Sequence, residues 1–125
     1  RTEVRAVVLG DHVFAVEIDA QSSPKASLDW RRYDWERTVH RRHALPDDVA
    51  RRLTALTARL GLVYSAIDLI LTPEGDYVFL ETNPNGQYYW LEQVTGVPLT
   101  RNLARMLVAA SRTYEPWYDE EAVEA

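Results

Sequence analysis

The sequence predicts an α+β fold: an antiparallel β-sheet with helices packed on one side. Three observations predict it. Two stretches read as β-hairpins, each a pair of β-prone runs broken by a tight turn, one around Gly10-Asp11 and one at Pro73-Glu74-Gly75-Asp76. Between them, Pro46 to Leu60 carries apolar residues at helical spacing. After the second hairpin two further helical patterns follow. Strands paired in hairpins with helices between them favour an antiparallel sheet over a parallel one.

The chain opens directly in a strand, which reads as a truncation: from Thr2 to Leu9, Val4, Ala6 and Val8 alternate with Glu3, Arg5 and Val7, and Val13 to Ile18 runs back. Arg5 on such a strand either points to solvent or serves a site. His12 reads as a solvated turn residue. Asp19 to Ser27 is a polar loop around Ser22-Ser23-Pro24. Leu28 to Tyr33 follows as an edge strand or loop, with Arg31 free to pair with Asp29 or Asp34 at the surface or to reach a functional site. Arg37 to His43 is locally basic and reads as a solvated face. Its His40 and His43 lack the further soft ligands that a zinc-type site needs.

Pro46 to Leu60 is the clearest helix, with Pro46 at its first position, Asp47 and Asp48 favoured by the helix dipole, and Gly61 closing it. Val49, Leu53, Leu56 and Leu60 form the stripe expected to pack on the second hairpin, each burial worth about 1.5–3 kcal/mol before entropy. Gln87 to Thr95 reads as a short helix stopped by Gly96, its Tyr88, Tyr89, Trp90 and Leu91 plugging the core or facing a partner. A last helix runs from Pro98 to Arg112 with Leu99, Leu103, Met106, Leu107 and Ala110 inward. This divides the chain into one domain, 1–112, and an acidic tail, 113–125, expected to be mobile.

A chain of 125 residues, 46% hydrophobic, buries one core. It has no cysteine, hence neither disulfides nor thiolate catalysis. With no apolar run near the roughly 20 residues that span a bilayer, a soluble, cytoplasmic protein is expected, with no membrane partner. The net charge of −5 arises after Arg112, where Glu115, Asp119, Glu120, Glu121 and Glu124 have no basic neighbour; without those five, 14 acidic residues face 14 basic ones. That balance gives no reason to expect a nucleic-acid partner.

The chemistry concentrates in the second hairpin. If Thr72 faces Tyr77, pairing runs back through Leu71–Val78, Ile70–Phe79 and Leu69–Leu80 to Asp68–Glu81. Cross-strand partners share a face about 5 Å apart at Cβ. The period of two returns Asn83 to that face. Facing carboxylates repel unless a cation lies between them. Three oxygen-bearing side chains suit Mg²⁺, which takes few protein ligands and completes its shell with water and phosphate. A lone pattern of this kind is more often an exposed acidic face. Here the flanking runs AIDLIL and FLE read as buried, and buried carboxylates need partners.

The run GLVYSAIDLILTPEGDYVFLETNPNGQYYWLEQVTGVPLT resembles the C-terminal part of an ATP-grasp ligase. It is most similar to the maturases that install side-chain ester or amide links in ribosomal peptides, the microviridin-type or graspetide ligases. The match extends from Glu3 to about Ser111, and the NPNGQ-Y-Y-W continuation is more specific to the peptide-maturase branch than to ATP-grasp enzymes generally. The resemblance implies the second subdomain of the ATP-grasp fold, with ATP and Mg²⁺ as cofactors and a precursor peptide as partner. Asp68, Glu81 and Asn83 would hold magnesium and nucleotide phosphates. Arg5, in the family's E-x-R-V-type strand, and Arg31, in a D-W-R triplet, would hold the transferred phosphoryl group or substrate carboxylate. The implied reaction activates a peptide carboxyl as an acyl phosphate, which a hydroxyl or amine then attacks.

Lysines that hold adenine and phosphates, and a glycine-rich lid, are absent here; Lys25 is the only lysine. The expected partner is therefore the N-terminal half of the same enzyme, without which this chain is expected to be inactive. Homodimerisation is left open. Two other readings stand beside the peptide ligase: a binding or assembly module that keeps the fold without catalysis, and another ATP-grasp ligase, of the glutathione-synthetase or ribosomal-protein glutamate ligase kind.

Overall fold

A computed structural model describes residues 1–19 and 38–119. Five strands, β1 (Thr2–Leu9), β2 (His12–Asp19), β3 (Val39–His43), β4 (Tyr64–Leu71) and β5 (Tyr77–Asn83), form one sheet in the order β3-β2-β1-β4-β5. Every pairing is antiparallel. Three helices accompany it: α1 (Asp47–Arg59), α2 (Tyr89–Thr95) and α3 (Leu99–Ala109). The α+β class and the two hairpins are as expected.

The sheet is covered unevenly. Val7 and Val8 both have 0% exposure, and consecutive strand residues point to opposite faces, so central β1 is covered on both. Its AVVL run is the continuous apolar stretch of a two-sided strand. Val7, Leu9, Phe14, Val16 and Ile18 pack with Leu91 of α2 and Leu99 and Met106 of α3. Val4, Ala6, Val8, Ala15, Ile67 and Leu69 pack with Leu53 of α1. Thus α2 and α3 share one side of the sheet, and α1 lies against the alternate residues on the other.

Several expectations are corrected. Of the basic stretch, Arg37 lies outside the described residues, and Val39–His43 is no solvated face throughout but the edge strand β3. Its charged side chains suit an unpaired edge, and each finds a place. Arg42 is paired with Asp119 and His43 with Glu17, while His40 packs edge-on against Trp90 at 5.7 Å. Burial lowers the His40 pKa, opposed by a hydrogen bond with the Thr38 backbone, so its ring favours the neutral form. Pro46 is the N-cap of α1, one position before the helix. Leu53 and Thr57 make the buried face of α1, whereas Leu60 is 52% exposed. The helix rests on β2, β1 and β4, not on the second hairpin alone. In α3, Leu107 and Val108 face out and Asn102 is fully buried. His12 is the first residue of β2, its ring against Tyr114.

The first part of the acidic tail is tied down. At the β1–β2 turn, Gly10 has φ +62° and a Cβ there would stand 2.3 Å from the Arg112 carbonyl oxygen. The Asp11 backbone N–H donates to that oxygen at 3.0 Å, and Thr113 Oγ1 donates to Asp11 Oδ2 at 2.8 Å. Further on, Asn102 brackets the Trp117 backbone, and Arg42 grips Asp119 through two bonds of 2.7 Å. Arg101 stacks 4.2 Å over the Trp117 ring. The tail's charge conceals an aromatic anchor made of Tyr114, Trp117 and Tyr118. Residues 120–125 lie outside the described residues.

Tyr114 is buried and its hydroxyl has no hydrogen-bond partner among the described residues. Burial, with Tyr118 and Asp11 nearby, pushes its pKa up to about 12. A buried hydroxyl without a partner costs about 1–3 kcal/mol. Tyr114→Phe is therefore expected to stabilise the fold by about 1 kcal/mol at neutral pH. The wild type is expected to lose stability as pH rises from about 10, where the unfolded tyrosine ionises, to about 12, where the folded one does. The variant should show a shallower loss, the remainder coming from Tyr64, Tyr77 and Tyr118, whose pKa values burial also raises. Urea midpoints at pH 7 and pH 11 measure both effects; an unchanged alkaline slope would reject this account of Tyr114.

Candidate functional site

The β4–β5 hairpin brings the expected residues together by a route the sequence did not show. Near the turn, Leu71 faces Tyr77, Ile70 faces Val78 and Leu69 faces Phe79, one residue out of the expected register. An irregularity between Asp68 and Leu69 then leaves Leu80 unpaired and restores Asp68 opposite Glu81. This is a β-bulge, which spends one extra residue on one strand and re-aims those beyond it. Without it, Asp68 would face Leu80, and Glu81 would lie on the other face.

Register across β1 completes a row. Arg5 faces Asp68 on one side and Val16 on the other, so Arg5, Asp68 and Glu81 lie in line across β1, β4 and β5. Asn83 faces Ala66, two residues from Asp68, and shares its side of the sheet. All four side chains belong to the side carrying α2 and α3. Arg5 grips Asp68 with both arms of its fork: Nε donates to Oδ1, and Nη2 donates to Oδ2 at 3.1 Å. Both side chains are partly open to water, 23% and 28% exposed. Such a pair is worth at most about 1 kcal/mol.

The turn after Asn83 is held from several sides. Asn83 Oδ1 accepts the Asn85 backbone N–H at 2.9 Å, and the Gly86 N–H donates to the Asn83 carbonyl at 3.2 Å. Tyr64 Oη donates to the Gly86 carbonyl. A Cβ on Gly86 would come within 2.4 Å of the Ala66 Cβ. Gly86→Ala is therefore expected to push the turn away from β4 and cost about 1–3 kcal/mol. Restoring space with Ala66→Gly should recover part of that loss. Chemical denaturation of the two single variants and the double variant measures the coupling, and strict additivity would exclude the contact as the cause.

The exposure of this site corrects a second expectation. The run Val78-Phe79-Leu80 is not buried: its residues are 46%, 48% and 55% exposed, and Glu81 and Asn83 are exposed too. β5 is the sheet edge, and a strand with one neighbour cannot be enclosed by pairing alone. Register and donor chemistry, not desolvation of Glu81, are what suit these side chains to a metal. In that respect the residues fit magnesium. Two carboxylates and an amide oxygen lie on one side of neighbouring strands, and each carboxylate offers about four lone-pair sites. No group of three or more His, Cys, Asp or Glu side chains forms a metal cluster among the described residues. Arg31 lies outside the described residues.

Another polar network occupies the opposite face. Glu17 Oε2 meets His43 Nδ1 at 3.1 Å, and His43 Nε2 meets Tyr77 Oη at 2.6 Å. The network joins β2, β3 and β5, and it includes none of the four site residues. A cavity of about 320 Å³ lined by Phe14, Arg42, His43, Leu45, Pro98 and Tyr118 is likewise separate from them. No helix among the described residues is long and apolar enough to cross a membrane.

No family model and no curated protein matches this chain. Solved structures do. The macrocyclase MdnC of Microcystis aeruginosa, bound with its precursor peptide MdnA, is 33% identical with a TM-score of 0.71, over 88% of this chain and 34% of that one. The Chryseobacterium gregarium RiPP-associated ATP-grasp ligase, in complex with ADP and a leader and core peptide, is 30% identical with a TM-score of 0.78, over 94% of this chain and 36% of its own. Macrocyclase MdnB of Microcystis aeruginosa is 34% identical with a TM-score of 0.66, over 86% of this chain and 37% of its own. The ligase PsnB shares the fold, at 21% identity and a TM-score of 0.69. This chain thus spans about a third of the length of the ligases it matches.

Proposed function

Starting from that likeness to ATP-grasp ligases of ribosomal peptides, we propose that this chain is the C-terminal third of such a ligase and carries its magnesium–phosphate site. The single observation that bears most weight is the bulge-set row of Arg5, Asp68 and Glu81, with Asn83 on the same side. These are the residues the family resemblance designates, and their shared side of the sheet supports the reading. Asp68, Glu81 and Asn83 would hold the metal. Bound there, Mg²⁺ would neutralise charge on nucleotide phosphates during transfer to a peptide carboxyl.

The chain's own residues supply position and charge. Glu81 and Asp68 present carboxylate oxygens from neighbouring strands, whose paired backbones fix the spacing of the two residues before a ligand arrives. Asn83 adds a neutral oxygen, its side chain steadied by the bond from Asn85. Arg5, with a planar fork that suits phosphate as well as carboxylate, would bear on the transferred phosphoryl group. Arg31 is proposed for the same group on resemblance alone. No side-chain nucleophile is required, because the carboxyl attacked and the attacking hydroxyl or amine both belong to the substrate. The acceptor would be a precursor peptide, as the peptide-bound relatives suggest, and ester or amide links within it would require Thr, Ser or Lys together with Asp or Glu.

The test is direct. This chain, joined with the remainder of its ligase, is incubated with ATP, Mg²⁺ and such a peptide, and the products are weighed. Loss of one water per link together with release of ADP and phosphate is the expected result. An unchanged peptide mass with intact ATP would reject the proposal.

A further inference from the structure

The same carboxylate is asked to serve two cations. Asp68 accepts from Arg5 through both oxygens, in the side-by-side geometry that guanidinium and carboxylate prefer. Under the proposed function it also ligates a divalent ion. Glu81, next in the row, is exposed and makes no ion pair or hydrogen bond with any described residue. Arg5, Asp68 and Glu81 together carry a net charge of −1, with Arg5 the neighbour of Asp68 on β1. A divalent ion entering between Asp68 and Glu81 therefore meets two good ligands and one repelling charge.

Resting on that reading of the site, we infer that Arg5 is an internal counter-ion that the metal must displace from Asp68, so that divalent cation and nucleotide phosphate bind together, not singly. Metal binding alone weakens the Arg5–Asp68 pair and leaves the guanidinium facing the incoming positive charge. Phosphate binding alone draws Arg5 away and leaves Asp68 and Glu81 facing each other without a cation. When both arrive, Asp68 and Glu81 hold the metal, Arg5 turns to phosphate oxygens, and every charge is matched. The exchange is small in energy because the pair is partly solvated. A fully buried pair would resist it. Arg5 thus has two partners in sequence, which accounts for a residue expected at phosphate being found on a carboxylate.

The experiment uses the 125-residue chain and Mn²⁺ as the probe, a hard ion that accepts the same oxygen ligands. Paramagnetic broadening of backbone amides locates the ion, and its affinity is read by electron paramagnetic resonance. Wild type, Arg5→Gln and Arg5→Lys are compared, their folding checked by amide shift dispersion. Broadening is expected to centre on Asp68, Glu81 and Asn83. A unit charge about 6 Å from a divalent ion in watery surroundings weakens its binding about tenfold. Arg5→Gln is expected to bind Mn²⁺ tighter by about that factor. Arg5→Lys keeps the charge on a single donor that cannot engage both Asp68 oxygens, and should gain less. If broadening centres on the three residues while Arg5→Gln binds no tighter than wild type, the exchange is overturned and the metal site stands. If broadening centres elsewhere in every protein, the metal site falls and the inference with it.

Discussion

Under the proposed function, replacing Glu81 by alanine is expected to lower ATP turnover of the ligase that contains this chain by at least about a hundredfold, and Asp68→Ala to do the same. Groups that stabilise developing charge in a preorganised site contribute on this scale. The two variants differ in an informative way. Asp68→Ala also strands Arg5, so a stability loss of about 1 kcal/mol should accompany the lost activity. Glu81 is exposed and pairs with none of the described residues, so Glu81→Ala should leave the fold at wild-type stability. Turnover is followed as ADP release in the presence of peptide, and stability by urea unfolding of the same preparations. Wild-type turnover in either variant would remove the metal assignment. Turnover lost only in step with unfolding would reduce Asp68 to a partner of Arg5.

Asn102→Ala is expected to cost about 3 kcal/mol, a melting decrease on the order of 10 °C or more. The side chain is fully buried, with 0% exposure. Its Nδ2 donates to the Pro98 carbonyl at 2.7 Å and to the Trp117 carbonyl at 2.8 Å, and its Oδ1 accepts the Trp117 N–H at 2.8 Å. Truncation leaves both Trp117 backbone groups unsatisfied and opens a gap in the interior. The segment 113–119 should then leave the body and take the Arg42–Asp119 pair with it. Trypsin cutting after Arg112, compared with global unfolding, separates local release from general loosening. A penalty below about 1 kcal/mol, or no gain in cutting, would show that the aromatic anchors hold the segment unaided.

The residues that were hard to place share a physical feature. Asn102 sits between Leu99 and Met106 on the face of α3 that meets the core, a position the apolar pattern assigns to its neighbours. A polar residue there makes sense only with the Trp117 backbone beside it, and that segment's acidity hid its attachment. Leu107 and Val108 are apolar yet open to solvent, because the stripe is set by what α3 packs against and not by composition. Arg42 and His43 belong to an edge strand stabilised by Asp119 and Glu17, partners 77 and 26 residues away. Periodicity reports a residue's own face; it is silent about a distant partner. The AVVL run of β1 did carry the sign of a two-faced strand, which the alternating reading passed over.

The local and the non-local divide sharply at the site. Turn chemistry and β-prone runs sufficed for both hairpins, and helix spacing for the three helices to within a few residues. Asp68, Glu81 and Asn83 were singled out by residue type, by a short motif and by its likeness to peptide ligases, all of which is short-range information. What only the tertiary structure decided is how they meet. The Leu80 bulge depends on backbone bonding that no residue type announces, and the pairing of β1 with β4 joins Arg5 to Asp68 across 63 residues. Sequence specifies which oxygens and which guanidinium exist; the closing of distant strands into one ladder decides which of them share a charge.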